Sequence, residues 1–476
     1  MGRTDDIAAY IEEAIKGQYA FIGENWYHFT GTHWKMGVTP RGFLTKNVSK
    51  TYASLRNVYS DEKQVRWINT IIEDLGNSNR RKHIMVDLEQ RQRESTEPPV
   101  PIDSIAHLFG FQNGVFDSRD GAFREHRQED YLSTLLQHSI PDKSDPVLRA
   151  EILRFFQEIM PNEGVRDFLL LTLALGLEGR NSQQIATIWT GSGGNGKSQL
   201  KSFLKKVFTG AFFEEPLPTF LTSEVPDAQR PAPHLVRLAM RRFLFCSEPE
   251  AGKKANGAFV KILSGGDFIS ARECSSNTIV SFLPRFIITL LCNDIPKLSG
   301  GELDLNALWR RVKIIRFDRK FVRSPRAECP HEMLVDLDLD AKMERWPGEF
   351  LLLLMEIYRK YLSTGRQLNE PPEVIANVNE QKAENNPFPS WFFQEYTPCP
   401  ESFIHVHSIA EQFETYLRTD NNKPNLRGPA TKDIIKQLIG MSLDVPEKAA
   451  RIRGGGCLCN NLARVLSGWT LKSPEQ

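Results

Sequence analysis

The sequence lacks a hydrophobic run long enough to cross a membrane. Two apolar stretches, "FLLLTLALGL" (168–177) and "FLLLLMEIY" (350–358), fall well short of the ~20 residues that a spanning helix needs, and each continues into polar or charged residues. We interpret both as buried core helices. We therefore expect no membrane partner.

The sequence also lacks a closely spaced cysteine framework and an excess of charge of either sign. Its 7 cysteines are scattered, which favours a reducing compartment over a secreted disulfide scaffold. The net charge is +1, so a nucleic-acid site must be a local basic surface and not a polybasic tail. The N-terminus begins with acidic and helical residues, so no secretion signal is predicted and we expect a cytoplasmic protein.

What the sequence does contain indicates several globular domains. A chain of 476 residues with 40% hydrophobic and 25% charged residues corresponds to about three of them. We predict a mixed helical domain with an aromatic hairpin over residues 1–145. An α/β domain with a mainly parallel sheet follows over residues 146–365, because β-rich runs alternate there with helical stretches. A small third domain covers residues 366–476.

The third domain is rich in basic residues and compatible with a winged-helix-like fold. It contains the helix-like "TKDIIKQLIGM", the turn region "RIRGGG" and the strand-like "GWTLK". A basic wing suits contact with a duplex backbone, and a solvated basic face on a helical cap is the equally open alternative. Cys399 with His405 and His407, or Cys457 with Cys459, lack the paired spacing of a zinc site. We expect no metal other than Mg²⁺.

One segment of the α/β domain has the pattern of a phosphate-binding loop. In "TIWTGSGGNGKSQL" a β-branched strand is followed by G-x-x-x-x-G-K-S and a helix. Glycines let successive N–H groups converge on an anion, and the helix N-terminus adds positive potential. Lys197 and the Ser198 hydroxyl are expected to bind phosphate and Mg²⁺ of ATP. The predicted nucleotide-binding residues are Gly191, Ser192, Gly193, Gly194, Asn195, Gly196, Lys197 and Ser198.

Polar residues follow the later predicted strands of the same domain. "RRFLFCSEPE" ends in Glu248 and Glu250, which suit Mg²⁺ binding and polarisation of the attacking water. "RFIITLLCND" reaches Asn293 at its end, which either orients water and senses the γ-phosphate or caps a loop. Arg310 and Arg311 precede the strand "VKIIRF". They are either a surface ion-pair site or an arginine finger directed at a neighbour's γ-phosphate.

The order of these features resembles superfamily 3 helicases, and most closely the poxvirus-type primase-helicases of large DNA viruses with their phage and plasmid relatives. The motifs that carry the resemblance are "GSGGNGKS", "FLFCSEPE", "KILSGGDFISARE", "IITLLCNDIP" and "NALWRRVKIIRF", with "FGFQNGVFDS" upstream. The resemblance implies an AAA+-like P-loop ATPase core. It also implies a hexameric ring around DNA that hydrolyses ATP at subunit interfaces and unwinds duplex DNA during replication.

Carried over by position, the resemblance gives roles to individual residues. It makes Glu248 the metal or water-activating carboxylate, Asn293 the sensor, and Arg310 or Arg311 the finger from the adjacent subunit. Lys261 and Arg272 become candidate contacts to DNA phosphates.

Three features depart from the family pattern. The carboxylate motif is Glu-Pro-Glu, and the hairpin tip "ECSSNT" has no Lys or His. No primase motif precedes the motor, since "VDLE" is a lone fragment. A primase is therefore expected on another protein or on a removed segment.

Two functions from different classes follow. The first is an ATP-dependent helicase of a virus or phage replication system, acting on single-stranded and forked DNA in the infected cell. The second is a nucleotide-dependent assembly or regulatory module without unwinding activity.

The aromatic pairs Trp26/Tyr27 and Phe29/Trp34 could stack on bases. Aromatics that alternate along a hairpin are more often a packed sheet face, so we interpret them as structural.

Overall fold

The computed structural model describes residues 4–94, 100–222, 230–250, 252–274, 279–300, 302–420, 431–441, 443 and 465–472. Within these ranges no helix is both long and apolar enough to span a membrane. The apolar runs at 168–177 and 350–358 begin inside the helices Glu163–Ala174 and Pro347–Ser363, which bury most of their apolar side chains. Their interpretation as core helices is confirmed.

The N-terminal part is mainly helical. Its helices are α1 (Thr4–Ile15), α2 (Arg41–Phe43), α3 (Ser49–Leu55), α4 (Glu62–Gly76) and α5 (Ser78–Glu94), with a π-helical stretch (Leu44–Val48) between α2 and α3. The predicted aromatic hairpin is an antiparallel meander of β1 (Tyr19–Ile22), β2 (Asn25–Phe29) and β3 (Trp34–Met36). Trp26 and Trp34 are buried, and their indole nitrogens donate to Glu89 and to the carbonyl of Gln128. Their structural role is confirmed.

A second antiparallel meander precedes the central sheet. Its strands are β4 (Leu108–Phe111), β5 (Gly114–Asp117) and β6 (Ala122–Arg124), joined at the turns predicted at 113–114 and 120–121.

The middle of the chain alternates helices and strands as predicted. Its helices are α6 (Pro146–Ile159), α7 (Glu163–Ala174), α8 (Lys197–Val207), α9 (Pro233–Val236), α10 (Gly257–Ser264), α11 (Glu302–Trp309), α12 (Leu339–Met343) and α13 (Pro347–Ser363). Its strands are β7 (Ala186–Thr190), β8 (Phe213–Glu214), β9 (Phe243–Ser247), β10 (Ala255–Asn256), β11 (Ile269–Arg272), β12 (Ile279–Phe282), β13 (Ile287–Leu291), β14 (Leu298–Ser299), β15 (Val312–Arg316), β16 (Lys320–Val322) and β17 (Glu332–Leu334). Short 3-10 turns lie at Gln128–Asp130, Leu175–Leu177, Gly210–Phe212 and Phe220–Thr222.

The central sheet is parallel, with the strand order β15-β7-β13-β9-β8. The predicted runs "IATIWTG", "RFLFCSE", "RFIITLLCN" and "RVKIIRF" are β7, β9, β13 and β15. The predicted α/β fold with a parallel sheet is therefore confirmed. The edge strand β8 was not predicted, because two paired residues leave no periodic pattern in the sequence.

Both faces of this sheet are covered by apolar side chains. Neighbouring residues of each strand belong to different hydrophobic clusters, since successive side chains of a strand point to opposite faces. Trp189, Phe245 and Ile315 belong to one cluster, whereas Ile188 and Leu244 belong to the other. Burial on two sides explains why the strands appear in the sequence as continuous hydrophobic runs.

The first of these clusters extends beyond the sheet. It contains Phe109, Phe111 and Phe116 of the β4–β6 meander together with residues of α6, α7 and α13. Packing therefore continues across residue 145. The division at residues 145 and 365 stays a prediction.

The C-terminal part has a hydrophobic core of its own. After α14 (Pro372–Asn385), whose Val374 belongs to the first cluster, its elements are α15 (Phe388–Glu395), β18 (Tyr396–His405), α16 (Val406–Asp420), α17 (Thr431–Gly440) and β19 (Val465–Leu471), with β18 and β19 antiparallel. Phe388, Trp391 and Phe413 form this core with Leu438 of α17. The helix predicted from "TKDIIKQLIGM" is α17. The predicted wing at 451–456 lies outside the described residues.

Candidate functional site

The glycine-rich segment connects the buried strand β7 to the start of α8. Gly191, Gly194 and Gly196 have φ values of 136°, 75° and 90°, which side chains rarely adopt. A Cβ atom on Gly191 would lie 2.4 Å from the Phe317 carbonyl oxygen, and one on Gly196 would lie 2.6 Å from Ile159 Cγ2. Glycine is therefore required at both ends of the loop.

The chain that follows β15 holds this loop in place. Asn195 is buried and donates to the Phe317 carbonyl at 3.1 Å, while the Phe321 amide donates to the Gly194 carbonyl at 2.7 Å. The Lys197 amide donates to Asn195 Oδ1 at 3.4 Å. Sequence reasoning missed the supports from Phe317 and Phe321, because contacts with main-chain atoms more than a hundred residues away leave no pattern in the sequence.

Lys197 is the first residue of α8 and is mostly buried. Its ammonium group donates to the Gly191 carbonyl at 2.5 Å. Burial lowers the pKa of Lys197, and the neighbouring Cys292 and Glu248 oppose that shift. Because an anion favours the charged form of lysine, a bound phosphate offsets the cost of burying this group. Ser198, the next residue, is exposed.

The carboxyl ends of β7, β9 and β13 meet beside this loop. Glu248 Oε2 accepts a hydrogen bond of 2.8 Å from the Asn293 amide, which joins the ends of β9 and β13. The Thr190 hydroxyl donates to the Asn293 carbonyl at 2.8 Å and so joins β7 to β13. The structure therefore brings Glu248 and Asn293 to the sheet edge from which the loop emerges.

Glu250 has different surroundings from Glu248. It forms an ion pair of 2.9 Å with Lys253, and its side chain is 69% exposed. Cys292, which sequence reasoning did not select, lies near Lys197 and Glu248. Burial raises the pKa of its thiol to about 12, so the thiol stays protonated at neutral pH.

Arg310 and Arg311 lie at the opposite end of the sheet. The Arg311 carbonyl accepts from the amide of Ala186, the first residue of β7, whereas the glycine loop follows the last residue of that strand. Five residues of strand separate the two ends by roughly 16 Å. The structure does not bring either arginine to the loop of its own chain.

Lys261 and Arg272 flank the predicted hairpin region. Lys261 lies on α10, and Arg272 ends β11, where it pairs with Ile279 of β12. Both side chains are partly buried. The antiparallel β11–β12 pair confirms that a hairpin follows α10. Most of its tip, 275–278, lies outside the described residues.

A cavity of about 960 Å³ adjoins the glycine loop. Gly194, Asn195, Gly196 and Ser198 form one wall of it. The other walls combine apolar and charged side chains, which include Phe155, Ile159, Phe321, Trp346, Glu151, Arg154, Asp336 and Lys342. Its volume is within the usual range for small-molecule sites. Sequence reasoning missed this cavity, since its walls come from α6, β17 and α12, which only the tertiary fold brings together.

Most of the basic residues of the C-terminal part are not among the described residues. Lys423, Arg427, Lys448, Arg451, Arg453 and Arg464 lie outside the described residues. Lys472 donates to the Phe393 carbonyl at 3.1 Å. Cys399 accepts from the Ser402 hydroxyl, and His407 pairs with Glu411. Within the described ranges no three His, Cys, Asp or Glu side chains form a metal-binding group, and Cys457 and Cys459 lie outside those ranges.

Comparisons with known proteins relate this chain to viral proteins that are named putative helicases or putative primases. Residues 8–161 match the family model described as "D5 N terminal like". A protein of Acanthamoeba polyphaga mimivirus, named a putative helicase, is 32% identical over 274 residues, which are 56% of this chain and 28% of that protein. One of Invertebrate iridescent virus 3, also named a putative helicase, is 26% identical over 465 residues, 87% of this chain and 48% of that protein.

A more distant relative is named differently. A protein of African swine fever virus, named a putative primase, is 22% identical over 241 residues, 49% of this chain and 24% of that protein. This chain thus spans less than half the length of each of these relatives. Among solved structures, the apo structure of the NrS-1 C terminal region aligns over 98% of this chain and 100% of that one, with 11% identity and a TM-score of 0.46.

Proposed function

We propose that this chain, a relative of the viral primase-helicases, is an ATP-dependent DNA helicase that hydrolyses ATP at the interfaces of a ring, which is expected to be a hexamer. The observation that carries the proposal is the sheet edge at which the glycine loop, Glu248 and Asn293 meet, with the Asn293 amide 2.8 Å from the Glu248 carboxylate. An AAA+-like P-loop core accounts for this combination in a parallel sheet.

The nucleotide is expected to bind across the glycine loop. Main-chain N–H groups and the α8 N-terminus attract the phosphates, and Lys197 neutralises their charge. The Ser198 hydroxyl and the Glu248 carboxylate fit Mg²⁺, which prefers oxygen ligands. The metal ion supplies charge stabilisation to the transferred phosphoryl group. In this proposal Glu248 polarises the attacking water and Asn293 orients it, whereas Glu250, paired with Lys253, has the lesser role.

The adjoining cavity is suited to the nucleoside. Its apolar side chains, among them Phe155, Phe321 and Trp346, offer the surface on which a base packs, and it opens directly onto Gly194 and Gly196. We assign the adenosine end of ATP to this cavity and the phosphate end to the loop.

Hydrolysis requires a neighbour in this proposal. Arg310 and Arg311 lie at the sheet edge opposite the loop of their own chain. In this proposal one of them therefore serves the loop of an adjacent subunit. A head-to-tail contact that repeats around an axis closes into a ring. The resulting positive charge at each interface stabilises the transition state of phosphoryl transfer.

DNA is assigned to two regions. Lys261 and Arg272 flank the β11–β12 hairpin and are the candidate phosphate contacts in the ring's channel. The C-terminal part, with α17 and the β18–β19 pair, supports a winged-helix-like module that contacts forked DNA. A primase activity, if the complete protein has one, is expected outside this chain or on a replication partner.

The alternative is a nucleotide-dependent assembly module that does not unwind DNA. One observation favours it, namely the absence of Lys and His from the hairpin-tip sequence "ECSSNT". A tip without basic side chains has a weaker hold on the DNA backbone.

Steady-state ATPase and strand-displacement assays separate the two functions. We expect single-stranded DNA to stimulate hydrolysis and a forked duplex to be unwound, with both activities lost in Lys197→Ala. Lys201→Ala is the matched control, because Lys201 lies one turn further along α8 and pairs with Glu215. DNA-independent turnover without displacement would instead support the assembly module.

A further inference from the structure

The loop between α7 and β7 contains a residue that the proposed function does not use. Gln184 lies two residues before β7 and has a φ of 52°, the left-handed region that few side chains adopt. Its main-chain N–H donates to the Asn181 carbonyl at 3.0 Å. The Asn181 side chain in turn makes hydrogen bonds of 3.0 and 2.8 Å with the amide and carbonyl of Ile185. The main chain of Gln184 is therefore firmly held.

The side-chain amide of Gln184 bridges two segments that are distant in sequence. Its oxygen accepts from Arg311 at 3.1 Å, and its nitrogen donates to the Gly265 carbonyl at 2.6 Å. A guanidinium group can only donate and a carbonyl can only accept. These two partners therefore fix which end of the amide faces which segment.

Each of the two segments belongs to a different part of the proposed motor. Gly265 is the C-cap of α10 and begins the turn that leads to β11, so it lies between Lys261 and Arg272, the candidate DNA contacts. Arg311 follows Arg310 in the turn between α11 and β15. The Gln184 side chain thus contacts both Arg311 of the candidate finger pair and Gly265 at the base of the candidate DNA hairpin.

The same contacts distinguish the two arginines. Arg311 is partly buried, and its Nη1 atom is enclosed without a hydrogen-bond partner among the described residues. Arg310 is exposed, and its carbonyl accepts a 2.9 Å hydrogen bond from the buried Lys313 ammonium group. The turn is therefore held from both sides, with the Arg310 side chain directed to solvent and Arg311 fixed inside the subunit.

We infer that Gln184 is a positioning residue that couples the hydrolysis interface to the β11–β12 hairpin, with Arg310 as the finger and Arg311 as its internal anchor. The inference rests on the proposed function. When Arg310 engages a neighbour's nucleotide, a shift of the turn that contains both arginines would be passed by Arg311 to the Gln184 side-chain amide, which also holds the α10–β11 turn. By linkage, nucleotide state and DNA affinity then change together.

Two variants at Gln184 test the coupling. Gln184→Glu keeps an acceptor for Arg311 and removes the donor to Gly265. Gln184→Gly removes both contacts and tolerates a positive φ, so it covers the case in which the first variant folds poorly. Gln183→Glu is the matched control, because the neighbouring Gln183 donates to the Tyr361 hydroxyl at 2.6 Å and to the Arg366 carbonyl.

The readout is the affinity for fluorescent single-stranded DNA, measured with ATPγS and with ADP, together with nucleotide affinity in the absence of DNA. For the wild type and Gln183→Glu we expect the two DNA affinities to differ about tenfold. Both Gln184 variants should reduce that ratio to about one while nucleotide affinity without DNA stays within about twofold. If both variants keep the wild-type ratio, the role proposed for Gln184 is overturned, and the proposed motor function is not. A ratio of one in the wild type would overturn the coupling and the motor function together.

Discussion

Glu248 and Glu250 both follow β9, but their side chains have different surroundings. Glu248 accepts the Asn293 amide hydrogen bond at the edge where the glycine loop emerges. Glu250 is largely exposed and pairs with Lys253. The Glu-Pro-Glu motif does not show which of the two carboxylates acts on water and metal. The contacts favour Glu248.

We expect Glu248→Gln to lower the ATP hydrolysis rate by at least about 100-fold, because a neutral amide cannot polarise the attacking water. Nucleotide binding should persist, since the Gln oxygen can still accept the Asn293 hydrogen bond. Glu250→Gln is the control and should cost less than about tenfold. Single-turnover hydrolysis with nucleotide binding measured in parallel checks both, and the reverse order of effects would make Glu250 the acting carboxylate.

At this scale the sequence predicts motif residues and strand-end residues more readily than it predicts the contacts that hold them. Gly191 to Ser198, Glu248 and Asn293 were selected from motif and strand-end position, and the structure places Glu248 and Asn293 in direct contact. Gln184 and Phe317 were not selected. Gln184 makes its contacts from a left-handed backbone, and Phe317 acts through its main-chain carbonyl, and neither feature has a residue pattern.

At the scale of elements, α6 is anchored to α13 by a buried carboxylate. Glu349 of α13 accepts from the Ser144 hydroxyl at 2.6 Å, from the Asp145 amide at 3.0 Å and from Arg149 at 2.5 Å. Burial by itself raises the pKa of Glu349, but these hydrogen bonds and the Arg149 charge outweigh it, and the net pKa is lowered. The anchor fixes the start of the helix that ends beside the glycine loop at Ile159.

We expect Glu349→Gln to lower the free energy of unfolding by about 3 kcal/mol, because it leaves Arg149 without its buried partner. Because the folded-state pKa is lowered, the contribution of Glu349 is complete above the ordinary glutamate pKa and is lost as pH falls through the folded-state value. The wild type should therefore lose more stability on acidification than the variant.

Urea unfolding at several pH values measures this difference. Glu356→Gln is the control, because Glu356 also pairs with Arg149 but its side chain is 44% exposed. That variant should cost less than about 1 kcal/mol. Equal losses in the two variants would contradict the assignment of Glu349 as the anchor.

The elements themselves divide into those that periodicity could predict and those that it could not. β7, β9, β13 and β15 are buried on both faces and appear as continuous apolar runs. Their spatial order was not predictable, because it depends on which crossover each helix makes and not on the strands' own residues. β8, with two residues, has no pattern at all.

At the scale of the whole molecule, the chain has its glycine loop at one sheet edge and its paired arginines at the other. Under the proposed function the finger arginine comes from an adjacent copy, so we expect activity to belong to the interface between copies. The family resemblance implies a finger from the adjacent subunit, but it does not predict where the arginines lie on the sheet. The parallel strands give the physical reason, since the loop follows the end of β7 and Arg311 contacts its beginning.

Mixing two inactive variants tests this claim most directly. Arg310→Ala subunits retain the loop, and Lys197→Ala subunits retain the arginine, so an interface between one of each is complete. The matched control mixes Lys197→Ala with Glu248→Gln, which damage the same side of the interface. The measurement is the ATPase activity of oligomers assembled from equal amounts of the two subunits, compared with each variant alone.

We expect the Arg310→Ala and Lys197→Ala mixture to recover about one quarter of wild-type ATPase activity, because half of the subunits supply an intact loop and half of their neighbours an intact arginine. The control mixture should recover none. A mixture of Arg310→Ala and Lys197→Ala subunits that assembles fully and stays as inactive as its components would contradict hydrolysis at a shared interface.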